Sequence, residues 1–93
     1  MSFPKKVDNN QLDIVKAFRS MGATVLNLST VGKGCPDLLI GYKNISVLVE
    51  IKSKTGKFTE PQLKFIEQWR GGPVNRINSV EGAIRLIKLL DIS

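Results

Sequence analysis

The 93-residue chain contains no histidine, a single cysteine, one tryptophan and one tyrosine. Without histidine there can be no serine–histidine hydrolysis, no imidazole metal centre and no imidazole general base. Any acid–base chemistry must come from carboxylates, lysine, tyrosine or an activated water. Cys35 alone can form neither an internal disulfide nor a cysteine zinc cluster, and its neighbours supply no triad partner, so it reads as a small, partly buried filler. No apolar stretch approaches the roughly 18 residues a membrane span needs, and no signal-peptide pattern opens the chain. A cytoplasmic protein without a membrane partner is expected.

What is present is an ordinary globular composition, 42% hydrophobic and 24% charged, with 14 basic against 8 acidic side chains and a net charge of +6. Such a length fits one domain over residues 1–93 with one modest core, and residues 1–7 are expected to be loosely held. The basic residues run from Lys5 to Lys88 rather than in one tail, so the excess belongs to the folded surface and favours an anionic partner, nucleic acid first.

Hydrophobic periodicity predicts a helix from about Asp8 to Met21, carrying Ile14, Ala17, Phe18 and Met21, with Gly22 as its stop. Ala23 to Leu28 reads as a strand. The glycine-rich run from Ser29 to Pro36 lacks the full spacing of a phosphate-binding P-loop and leads into a second strand, Asp37 to Gly41. Ile45 to Lys52 reads as a third. Thr59 and Gln62 form a capping box at the start of a second helix, whose apolar residues Leu63, Ile66 and Trp69 are expected to face the core. Val74 to Ile77 is a short fourth strand, and Ser79 caps a last helix reaching about Leu90. The predicted order is αβββαβα.

Charged groups intrude on the apolar strands at one place. Alternation puts Glu50 and Lys52 on one face of their strand, with Val47, Val49 and Ile51 on the other. If Lys43 and Asn44 form the turn, residue 42 pairs with 45 and, counting outward, 37 pairs with 50. Asp37 and Glu50 then oppose each other across the hairpin, with Cβ atoms about 5 Å apart, an unfavourable pairing unless a cation lies between them. Oxygen ligands of this kind suit Mg²⁺ or Mn²⁺, which also take waters and phosphate oxygens. A phosphodiesterase site is the expectation; the plainer reading of any single Glu-x-Lys is a solvated ion pair.

The linked set Gly34-Cys35-Pro36-Asp37, Glu50-Ile51-Lys52 and Gln62 resembles the PD-(D/E)XK nuclease superfamily, and within it the virus-type replication-repair nuclease (VRR-NUC) domain in its phage-type stand-alone form. The resemblance implies an α/β restriction-endonuclease-like core, a mixed sheet flanked by helices. It implies that Asp37, Glu50 and the Ile51 backbone carbonyl hold Mg²⁺ or Mn²⁺, that Lys52 contacts the attacking water and scissile phosphate as an electrostatic clamp, and that Gln62 orients the nucleophile or a ligand. Many members carry a glutamate on the first helix; here the stretch holds Asp8, Asn9, Asn10, Gln11 and Asp13 and no glutamate, and Gln11 or Asp8 is expected in its place. The implied activity is a metal-dependent endonuclease acting on branched DNA such as Holliday junctions. Lys33, Lys54, Lys57 and Lys64 are expected to contact the DNA backbone. The alternative is a non-catalytic DNA-binding module on the same scaffold. The last helix carries Ala83, Ile84, Ile87 and Leu90 as one stripe with Leu86 and Leu89 outside it, which makes it the first candidate for a homodimer interface.

Overall fold

The computed structural model describes residues 9–52 and 56–93. In chain order these form α1 (Asn9–Ser20), β1 (Thr24–Asn27), β2 (Leu38–Tyr42), β3 (Ile45–Ile51), α2 (Glu60–Gln68), β4 (Val74–Ile77) and α3 (Val80–Asp91). The expected lead over residues 1–7 and the proposed start of the first helix at Asp8 lie outside the described residues.

The four strands make one mixed sheet in the order β1-β2-β3-β4. β1 pairs with β2, and β2 with β3, in antiparallel fashion, while β4 joins β3 in parallel after the crossover through α2. Lys43 and Asn44 both take left-handed backbone angles, φ 47° and 67°, as expected of a two-residue hairpin turn whose twist matches that of the strands. Tyr42 therefore pairs with Ile45 and Leu38 with Val49. The turn is tied to the end of α3, where Asp91 Oδ1 accepts from Tyr42 Oη at 2.6 Å and Lys43 Nζ at 2.8 Å.

Alternation then assigns the sheet's two faces. Leu38, Ile40, Val49 and Ile77 face α1 and α3, where Ile14 and Phe18 meet Ala83, Leu86, Ile87 and Leu90 in the core. Leu39, Leu48 and Glu50 have the opposite parity and face α2. The buried arc of α3 differs from the expected stripe: Leu86 is only 7% exposed, whereas Ile84 is at 37% and Leu89 at 61%. Because α3 lies against both α1 and the sheet, its inward side centres on residues 83, 86, 87 and 90, and Ile84 and Leu89 fall on its two flanks.

The expectation for α2 is corrected outright. Leu63, Ile66 and Trp69 do not enter the core, with Leu63 at 53% and Trp69 at 43% exposure, and no residue of the helix is buried. Its half-buried positions are Gln62 and Phe65, one residue, or about 100°, out of phase with the apolar stripe. The cause is the surface below: the sheet offers α2 a polar site at one end and an incompletely filled apolar groove at the other, so the helix rests on its edge contacts. Trp69 stacks on Phe65, with ring centroids 5.4 Å apart, and its indole N–H donates to Gly72 O at 2.9 Å.

Candidate active site

The register of the hairpin brings Asp37, one residue before β2, beside Glu50 near the end of β3. Asp37 is held at both ends: its carbonyl accepts from Leu28 N–H at 2.8 Å, and its Oδ2 accepts from Ile51 N–H at 2.8 Å. Glu50 is only 4% exposed and is the one buried charged residue among the described residues. Gln62 Nε2 donates to its Oε1 at 2.9 Å. Burial, reinforced by the negative charge of Asp37 and a hydrogen bond with it, pushes the Glu50 carboxyl up to about 7, with Lys52 opposing the shift.

These groups line a cleft of about 490 Å³ whose walls include Gln11, Lys33, Gly34, Asp37, Glu50, Ile51, Lys52 and Gln62. The expected metal and catalytic positions, Asp37, Glu50, Ile51, Lys52 and Gln62, therefore converge. Of the lysines expected to contact DNA, Lys33 stands at the cleft. Lys57 is exposed outside it, and Lys64 sits on the outer side of α2 in a loose ion pair with Glu60 at 3.9 Å. Lys54 lies outside the described residues, as does Asp8. Gln11, the other first-helix candidate, lines the cleft, whereas Asp13 is exposed. Helical phase explains the difference, since 11, 14 and 18 share a face with the buried Ile14 and Phe18.

The start of α2 closes the site. Thr59 and Gln62 form the expected capping box, with Thr59 N–H donating to Gln62 Oε1 at 2.8 Å and Gln62 N–H to Thr59 Oγ1 at 3.4 Å. The same side chain performs the cap and contacts Glu50. Gly32, Lys33 and Gly34 all have positive φ, and the loop they form presses on α2: a Cβ at Gly34 would lie 2.1 Å from the Pro61 carbonyl oxygen.

Arg76 was not singled out from sequence. It pairs in register with Glu50 across β3 and β4, its guanidinium lies over the Phe58 ring at 5.4 Å, and it donates to Gly56 O, so it ties the chain after Lys52 to the sheet. A four-residue strand is too short for alternation to mark it. Cys35 also borders the cleft; burial, with Glu50 and Asp37 nearby, raises its thiol, which keeps it protonated and poorly nucleophilic.

No group of three or more His, Cys, Asp or Glu side chains able to hold a metal occurs among the described residues. The donor set is instead two carboxylates, one of them buried against the other's charge, a combination that a hard divalent cation relieves and that suffices for Mg²⁺ when waters and phosphate oxygens complete the shell. No helix among the described residues is long and apolar enough to cross a membrane. The chain matches no family model, and searches of curated proteins and of solved structures likewise found no match.

Proposed function

We propose that this protein is a Mg²⁺- or Mn²⁺-dependent nuclease that hydrolyses phosphodiester bonds in DNA, with branched DNA as its preferred substrate. The observation that carries the reading is Glu50, buried beside Asp37 in an open cleft with Lys52 on the same wall. A carboxylate pair so placed lowers stability, which is the usual mark of a site built for a charged ligand. The element order and the placement of the acids on adjoining strands support a PD-(D/E)XK-type core of the VRR-NUC kind.

Asp37 and Glu50, joined by the Ile51 carbonyl, would hold the cation, which when bound stabilises charge on the phosphate and activates water. Lys52 offers an ammonium to the non-bridging phosphate oxygens, and Gln62 keeps Glu50 in one orientation. Lys33 adds positive charge where a DNA backbone enters the cleft.

Asp37→Asn tests the site better than alanine, because the amide oxygen can still accept the Ile51 N–H. Four-way, flapped and linear DNA incubated with Mg²⁺, Mn²⁺ or EDTA should be cut only with metal by the unaltered protein, and at least about a thousandfold more slowly by the variant. Undiminished cutting by Asp37→Asn would reject the site. Binding of junctions without cutting under any metal would favour the non-catalytic module.

The reading includes a homodimer, which presents two cleavage sites to a junction. On the exposed side of α3, Glu81, Arg85 and Lys88 separate Ile84 from Leu89, so this helix lacks a broad apolar face. The α2 side of the sheet has one. Leu39, Leu48, Phe65, Trp69 and Pro73 line an apolar groove of about 440 Å³, and Leu26, Leu63 and Ile66 are exposed on the same side. Light scattering at tens of micromolar should return twice the chain mass, falling to the chain mass for Leu63→Glu with Trp69→Glu. A monomer at that concentration sinks the dimer.

A further inference from the structure

The Gln62 amide is engaged at both ends, by Thr59 N–H on Oε1 at 2.8 Å and by Glu50 Oε1 on Nε2 at 2.9 Å. Turning the amide over would set its NH₂ against the Thr59 N–H and its oxygen against the Glu50 carboxylate, two repulsive contacts, so one orientation survives. The helix start that carries it is wedged in place by the Gly34 backbone against the Pro61 carbonyl. Of the two capping-box bonds, only the one from the Thr59 N–H bears on the amide. The bond from Gln62 N–H to Thr59 Oγ1 is longer, at 3.4 Å, and serves the helix.

We propose that Thr59 is a positioning residue of the site: its backbone N–H fixes the Gln62 amide so that Nε2 always faces Glu50, which holds the Glu50 carboxylate in one orientation beside Asp37 for the cation. The proposal rests on the metal-dependent reading above and adds a residue that touches neither cation nor substrate. The Thr59 side chain caps the helix, whereas its main chain sets the metal site. A group that hydrogen-bonds a metal ligand directly, as Gln62 does Glu50, typically changes metal affinity by about 10-fold to 100-fold when lost. The Thr59 N–H acts one bond further out, with an effect at the lower end.

Two substitutions separate these roles. Thr59→Ala removes Oγ1 and keeps the N–H; Thr59→Pro removes both, and the Thr59 φ of −74° suits the proline ring. Mn²⁺ affinity is measured by calorimetry without DNA, and the motion of the Gln62 side-chain NH₂ by ¹⁵N relaxation. Both variants should melt several degrees lower through loss of the cap. Thr59→Ala should keep a rigid amide and Mn²⁺ affinity within about twofold of the unaltered protein, while Thr59→Pro should show a mobile amide and about tenfold weaker Mn²⁺ binding. A Thr59→Pro protein with a rigid amide and the affinity of Thr59→Ala overturns the proposal. If Thr59→Pro does not fold, a backbone ester at position 59, introduced by chemical ligation at Cys35, removes the N–H alone and is judged by the same two readings. Absence of Mn²⁺ binding by the unaltered protein would defeat the nuclease reading itself, and the positioning role would then be decided by amide mobility alone.

Discussion

Glu50→Gln is expected to make the metal-free protein more stable at pH 8 and to abolish cleavage. Burial first, then Asp37, raise the folded-state carboxyl to about 7 from an ordinary value of 4.5. Below the unfolded value both states are protonated and Glu50 costs nothing. Between the two values the unfolded chain ionises while the folded one keeps its proton, so stability falls as pH rises; above 7 the full penalty persists. The shift corresponds to about 3 kcal/mol, or on the order of 10 °C in melting temperature for a domain of this size. A neutral glutamine is free of this term. The melting temperature of the metal-free protein, followed from pH 4.5 to 8 in both forms, should show a decline in the unaltered protein that Glu50→Gln lacks. Saturating Mg²⁺ should restore much of the loss to the former and little to the latter, since a ligand at 100 times its Kd contributes about 2.7 kcal/mol. Parallel profiles for the two forms would show that Glu50 carries no such strain. On junction DNA the same variant should lose at least about a thousandfold in rate.

Gly34→Ala should be the most damaging conservative change in the chain. At φ +78° any side chain is strained, by about 1–2 kcal/mol, and its Cβ would fall 2.1 Å from the Pro61 carbonyl oxygen and 2.7 Å from the Gln62 nitrogen. Those are main-chain atoms of a helix start and cannot swing aside, so the loop and α2 must part. Gly32 is the matched control, with φ +76° and nothing within 4 Å of an added Cβ. Gly32→Ala should lose only the backbone term, and Gly34→Ala about 2 kcal/mol more in denaturant unfolding. The separation displaces Gln62 from Glu50, so Mn²⁺ binding should weaken in Gly34→Ala and stay unchanged in Gly32→Ala. Equal stability losses in the two variants would mean that the loop does not press on the helix.

The acidic pair was legible because the hairpin is local. Alternation along Ile45–Ile51 and a two-residue turn are short-range properties, and together they set which side chains share a face. The capping box at Thr59 and Gln62 was legible for the same reason. The orientation of α2 was not. Helical periodicity locates an apolar stripe without revealing what lies across from it, and here the facing sheet carries the site, so Leu63 and Ile66 remain outside. The contact between Gln62 and Glu50 joins a helix start to a strand with no local spacing rule between them, and Arg76 depends on the parallel pairing of β4, which no short pattern encodes. Gln11, named from the sequence beside Asp8, does line the cleft, and its phase with Ile14 and Phe18 is the helical reason.

The two-residue turn at Lys43 and Asn44 also limits how this chain can vary in length. Adding or deleting one residue there, without a compensating bulge, would rotate Asp37 through the sheet to the α1 and α3 side and bury a carboxylate among Ile14, Phe18 and Val49. Changes of length before Asp37 or after Lys52 fall outside the hairpin and leave that parity undisturbed. Related chains should therefore vary in length outside the hairpin, while its tip between the acids keeps a constant count.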